Sequence, residues 1–258
     1  MMTAANYPEY SGRTEGGRRD YRGLFPGVFT MGNLVCGFLS VLSVSEGDVV
    51  TGCWFILLAA FLDLLDGKVA RLAGVESRLG MELDSLADFM SFGVAPAFLV
   101  HAIMLGSIGK WGWIIAVVYI MAAGYRLARY NLLSQSEEKQ NFLGMPVPVA
   151  ALGPVTFVIF SYHIWGDLQY SEYLISMMIL FSGLMVSQVE FEAVPDRFGR
   201  AERVKLVLAI LIIVALVINA RLTLFPIIAA YILTNLVRES HRLFTRGVDK
   251  VRSRSGQD

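Results

Sequence analysis

Between residues 63 and 88 the chain reads DLLDGKVARLAGVESRLGMELDSLAD, and its four aspartates are the groups best placed to do chemistry. Asp63, Asp66 and Ala70 are spaced three and four apart and so share one face of a helix. Asp84 and Asp88, four apart, stack on the helix that follows the turn at LAGVESRLG. Two neighbouring helix ends thus offer two pairs of acids that can converge. Four ionised carboxylates cannot cluster without cations between them, and Arg71 alone supplies too little charge. An all-carboxylate shell suits Mg²⁺ or Mn²⁺ over zinc, and no His or Cys is placed to soften it, His101 lying several turns further on. One or two such ions typically bridge the phosphate oxygens of a substrate. Gly67 and Ala70 are small enough to let a large group approach the backbone, and Arg71 can meet a phosphate. The plain alternative is a solvated helix end with ordinary Asp–Arg ion pairs. That reading fits one or two acids better than it fits this whole pattern.

The elements that must carry these acids are apolar. The chain has 258 residues, 55% of them hydrophobic and only 17% charged, with no net charge; its mean hydropathy is +0.55. Zero net charge gives no reason to expect nucleic acid. Apolar segments fall at about 28–45, 50–70, 86–105, 111–128, 147–165, 173–189, 205–219 and 222–237. Most approach the roughly 20 residues that a helix needs to cross the hydrocarbon. The expected fold class is an all-α polytopic membrane protein of about eight transmembrane helices. Turn residues separate them: EGD at 46–48, GSIGK at 106–110, GDLQYSE at 166–172. Residues 1–24 form a polar arm without a signal-peptide pattern, 25–240 the membrane domain, and 241–258 a basic tail. No internal repeat or second soluble domain is visible. Cys36 and Cys53 lie in apolar segments and read as small buried hydrophobes.

With eight alternating spans and a cytoplasmic N-terminus, every Lys and Arg except Lys110 and Arg221 falls on the inner side. The positive-inside rule therefore places both termini in the cytoplasm and the acids at the cytoplasmic surface of a cell membrane. An aspartate at mid-bilayer would cost roughly 2.5–3.5 kcal/mol, whereas a polar pocket open to one face avoids that cost.

The fixed positions of residues 63–88 can be written D-x₂-D-G-x₂-A-R-x₈-G-x₃-D-x₃-D. This pattern resembles the signature of the CDP-alcohol phosphatidyltransferases, membrane enzymes that move a phosphatidyl group from a CDP-lipid to an alcohol and release CMP. The resemblance implies a bundle of that kind, with Asp63, Asp66, Asp84 and Asp88 as ligands of Mn²⁺ or Mg²⁺, two ions in all. Asp88 would also serve as general base. Gly67, Ala70, Arg71 and Gly80 would line the CDP-lipid site, and the family implies a homodimer.

Four further stretches, FPGVFTMGNLVCGF (25–38), YRLARYNL (125–132), FLGMPVPVAA (142–151) and LMVSQVEF (184–191), are similar to the phosphatidylserine synthase branch. Two departures stand out: Gly27, where that branch usually has Asn, and QVEFEAVP, where it usually has aromatic and proline residues. The implied substrates are CDP-diacylglycerol and L-serine, in contact with membrane lipid. Serine carries a carboxylate, and Arg126 and Arg129, three apart at the end of the fourth span with Asn131 beyond, can meet it or a diphosphate. Their plain reading is as anchors that snorkel to lipid phosphates. Thr30 and Asn33, one turn apart on the first span, can bond cytidine or ribose, or act as interhelical glue. Pro146 and Pro148 read as shaping a helix start after a turn at Gly144. Glu190 and Glu192 read as a solvated loop, and His163, His241 and the WGW at 111–113 as interface residues.

These readings converge on a metal-assisted displacement at the lipid-side phosphorus, with Asp88 taking the serine proton. No Ser–His or Cys–His arrangement suggests a covalent intermediate. Glycerol 3-phosphate or an inositol phosphate is the rival acceptor, for which Arg197, Arg200, Arg203 and Lys205 could supply charge. A cation transporter is the rival of another class, but transporters commonly set such acids near the midplane among internal repeats.

Overall fold

In hydrocarbon no water is available to pair with the backbone, so each crossing segment must satisfy its own N–H and C=O groups as a helix. The computed structural model follows that rule. It describes residues 24–73, 78–134, 144–187 and 218–239, and no strand occurs among them. Helices α1 (Leu24–Ser45) and α2 (Val49–Ala73) form an antiparallel pair. The third crossing is composite: α3 (Arg78–Asp88), a six-residue π-helical turn (Phe89–Val94) and α4 (Ala95–Ile103). Then come α5 (Lys110–Ser134), α6 (Val147–Trp165) and α7 (Glu172–Val186); a last helix, α8, covers Ile218–Glu239.

Six of these units are long and apolar enough to cross a membrane, so the chain is a multi-pass membrane protein. The expectation of about eight spans is not reached among the described residues. Helix α7 is apolar but has only 15 residues, about 22 Å of helix, and the segment at 205–219 lies almost wholly outside the described residues. The remaining segments agree with the helices, and α6 begins and ends where its apolar run does.

The turns use the residues expected of them. Gly47 (φ 89°), Gly109 (φ 62°) and Gly166 (φ 73°) take the left-handed region that glycine tolerates. Asp48 starts α2 by accepting from the Thr51 amide at 3.0 Å. Hydrogen bonds from the Thr51 side chain and amide hold its carboxyl below the usual range.

From α1 to α7 successive crossings reverse direction, so the bundle has two distinct ends. One end holds the aspartates together with Arg126 and Arg129. At the other, His101 meets Trp113 edge-on at 5.4 Å, Trp165 meets Tyr170 at 5.7 Å, and Asn219 lies 3.3 Å from His163. Exposed Trp111, Trp113, Trp165, Tyr170 and Tyr173 there make an aromatic belt. The outer face of α1 is a stripe of Val28, Met31, Val35, Phe38 and Leu42, all exposed, as befits a helix solvated by lipid. Cys36 and Cys53 are free and buried.

Close approach is bought by small residues. A Cβ on Gly37 would lie 2.8 Å from the Ser91 Cα, and one on Gly153 would lie 2.5 Å from the Phe181 ring. The π-turn is fixed from two sides. Ser91 donates its hydroxyl to the Asn33 carbonyl of α1 at 2.8 Å, and Tyr119 of α5, fully buried, donates to the Phe92 carbonyl at 3.2 Å. Pro96, at the start of α4, has no N–H to offer the carbonyl four residues back, which is Phe92. The Tyr119 hydroxyl supplies a donor there. Tyr119→Phe is therefore expected to cost about 1–3 kcal/mol through the deprived buried carbonyl. Thermal unfolding of the two proteins in the same detergent measures it.

Candidate functional site

Asp63 stands on α2, and Asp84 and Asp88 stand on α3. The α2–α3 antiparallel arrangement brings them together: one carboxylate oxygen from each of Asp63, Asp84 and Asp88 lies within 4.8 Å of the other two. Three carboxylates brought together from two helices are donors that suit a hard divalent cation. The residues fit a metal. Their proximity without an intervening cation would be repulsive, so the arrangement makes sense as a holder of positive charge.

Asp66, beside this trio, has a partner of its own. It faces α1, is buried at 7% exposure, and accepts through Oδ2 from the Thr30 hydroxyl. Its other oxygen, Oδ1, is buried without a hydrogen-bond partner. One turn further along α1, Asn33 donates from Nδ2 to Oδ1 of Asp88 at 3.0 Å, and its own Oδ1 is buried and unpartnered. Thr30 and Asn33, which the sequence offers as nucleotide contacts or as interhelical glue, have carboxylate partners on two different helices.

Gly67 is exposed on α2, and a Cβ there would meet nothing within 4 Å. Gly80 is exposed near the start of α3. Ala70 and Arg71 belong to the last turn of α2. These positions bring the signature's small residues to the same end of the bundle as the acids.

The three acceptor candidates on α5 separate into different surroundings. Arg126 is buried at 6% exposure; its guanidinium lies 5.4 Å from the Tyr130 ring centroid, and its Nε has no hydrogen-bond partner. Arg129 donates to the carbonyls of Val186 (3.3 Å) and Ser187 (3.2 Å), a cation on the carboxyl end of α7 where the helix dipole favours it. The same guanidinium packs beside Gly144, whose φ of 85° and crowding by the Met185 carbonyl leave no place for a side chain. Asn131 donates to the Ser85 hydroxyl at 2.9 Å, next to Asp84 in sequence, and so ties α5 to α3.

Sequence reasoning did not foresee the π-turn directly after Asp88 or the Tyr119 contact that supports it. Pro96 was the visible signal of an irregularity there. Glu190, Glu192, His241 and the basic cluster Arg197, Arg200, Arg203 and Lys205 lie outside the described residues.

Comparison with known proteins agrees with this geometry. Residues 24–187 match the family model described as CDP-alcohol phosphatidyltransferase. A CDP-diacylglycerol–serine O-phosphatidyltransferase of Helicobacter pylori is 32% identical over 198 residues, covering 75% of this chain and 81% of that protein. One of Mycobacterium bovis is 30% identical over 235 residues, covering 85% and 79%. An archaetidylserine synthase of Methanothermobacter thermautotrophicus is 35% identical over 172 residues, covering 66% and 70%. The matched region contains α1 to α7 and every candidate ligand described above, and the chain belongs to the CDP-alcohol phosphatidyltransferase family.

Proposed function

We propose that this protein transfers the phosphatidyl group of CDP-diacylglycerol to the hydroxyl of L-serine, giving phosphatidylserine and CMP. The observation that carries the reading is the meeting of Asp63, Asp84 and Asp88 in a chain whose relatives are named for serine as acceptor. A divalent ion bound by these carboxylates, with Asp66 beside them, supplies the positive charge that a diphosphate and a departing CMP require. Mn²⁺ or Mg²⁺ suits the donors, and the four-aspartate signature suits two ions.

The chain's own residues then have distinct tasks. Gly67, Ala70, Arg71 and Gly80 line the cytidine diphosphate site, where the absence of bulk admits the nucleotide and Arg71 meets phosphate. The serine hydroxyl forms its bond to the lipid-side phosphorus as its proton passes to Asp88 and the bond to CMP breaks. Arg126 takes the serine carboxylate: it is a buried cation with an unused donor at the aspartate end of the bundle. Arg129 and Asn131 hold the wall around it by their bonds to α7 and α3.

The active end faces the cytoplasm. In support, Lys68, Arg126 and Arg129 lie at that end and Lys110 and Arg221 at the aromatic one, the asymmetry of the positive-inside rule. Eight spans fit the same scheme: the last described residue after α7 lies at the aspartate end, and α8 begins beside His163 at the other. Both termini, the arm 1–24 and the tail 241–258, are then cytoplasmic and flank a catalytic domain at 25–240. The working protein is a homodimer, as the family resemblance implies.

CMP release from CDP-diacylglycerol in detergent or liposomes with Mn²⁺ or Mg²⁺ tests the reading, with serine, glycerol 3-phosphate and inositol phosphate offered separately. Release is expected with serine alone. Release with a phosphorylated alcohol and not with serine would leave the chemistry and overturn the acceptor.

A further inference from the structure

Helix α1 bears no acid at this end of the bundle, yet it reaches acids on both helices beside it. The Thr30 hydroxyl donates to Asp66 of α2, and the Asn33 amide donates to Asp88 of α3 at 3.0 Å. Both donors are buried, Asn33 completely. The backbone that carries them is itself pinned to the turn after Asp88, through the Ser91 hydroxyl on the Asn33 carbonyl at 2.8 Å and the contact that only glycine permits at position 37.

We propose that Thr30 and Asn33 are positioning residues that orient the carboxylates of Asp66 and Asp88 for a divalent cation. The inference rests on the cation reading of the cluster. Two features of the geometry carry it. Each donor engages a single carboxylate oxygen, so one oxygen is fixed and the side-chain torsions with it; the remaining Asp66 oxygen is buried and without a partner. Each donor is also uncharged. An arginine or lysine in either place would orient the carboxylate but neutralise it, and would compete with the cation. A hydroxyl and an amide orient the ligand and leave its charge available. One helix, with donors one turn apart, thereby sets the relation between ligands on two others, the role that outer partners of metal ligands have in general.

Titration of the purified protein in detergent with Mn²⁺ alone, following loss of the free-ion EPR signal, tests this. Thr30→Val keeps the side chain's shape and removes the hydroxyl, Thr30→Ser restores it, and Asn33→Leu removes the amide donor. The Mn²⁺ dissociation constant is expected to rise about 10–100-fold in Thr30→Val and Asn33→Leu, while Thr30→Ser binds as the unchanged protein does. The Mn²⁺ concentration for half-maximal CMP release should rise in parallel, with KM for serine unmoved. Unchanged Mn²⁺ affinity in folded Thr30→Val and Asn33→Leu, with affinity lost in Asp63→Asn, would overturn the positioning role alone. No Mn²⁺ binding by the unchanged protein, or equal binding by Asp63→Asn and Asp84→Asn, would overturn the cation reading itself.

Discussion

Asp88→Asn is expected to lower serine-dependent CMP release by about 10²–10⁴-fold, the usual contribution of a positioned proton acceptor, and to do so in a folded protein. The substitution is nearly isosteric. Its amide oxygen can still accept from Asn33, so the link to α1 survives, and Ser91 and Tyr119 still hold the turn that follows. What disappears is the charge and the ability to take the serine proton. Loss of a cation ligand adds to the effect, because Asp88 shares the cluster with Asp63 and Asp84. Comparing rates at increasing Mn²⁺ separates the two contributions: added metal recovers the ligand deficit and leaves the proton-transfer deficit. Activity within a fewfold of the unchanged protein at every Mn²⁺ concentration would remove Asp88 from the mechanism.

Arg126→Met is expected to raise KM for serine by about 10–100-fold with a much smaller change in kcat. A hydrogen bond to a charged group contributes about 1.5–3 kcal/mol, and each 1.4 kcal/mol is a factor of ten in binding. Methionine retains much of the length and apolar stem that packs near Tyr130, so the loss is confined to the cation. Arg126→Lys should not restore affinity fully, since a point charge lacks the planar fork that matches a carboxylate. Steady-state kinetics with each substrate varied in turn give the answer. A rise in KM for CDP-diacylglycerol, with serine unaffected, would move Arg126 from the serine carboxylate to the diphosphate.

The acids were legible because their spacing is a property of one helix at a time. Asp84 and Asp88 at four residues apart must share a face, and a short turn between apolar segments must return α3 alongside α2. From those facts alone the meeting of Asp63 with Asp84 and Asp88 follows. The pairing of Asp66 with α1 does not. Residues three apart on a helix differ by about 60° in direction, and whether that difference matters depends on a neighbour. The neighbour is Thr30, 36 positions away, and helical periodicity carries no information about pairing at that range.

Arg129 shows the same limit. Its guanidinium bonds carbonyls at the end of α7, 57 and 58 residues on, a pairing that spacing along α5 does not announce. The bounds of α6 were legible to the residue because an apolar run of uniform character stops at Gly166 and begins at Pro146 and Val147. The π-turn was not, because Phe89–Val94 is as apolar as α4 after it and only Pro96 interrupts the pattern.

The contacts from α1 also bear on how the chain is made. Synthesis runs from the N-terminus at about 5–20 residues per second, so Thr30 and Asn33 precede every acid they serve. When Asp66 and then Asp88 reach the membrane, uncharged donors are already there to receive them, well before α5 brings Arg126 or Arg129. The costliest side chains in the bundle therefore need not wait for a completed fold. A chain in which the same helix came last would have to insert its four aspartates first and find their partners afterwards.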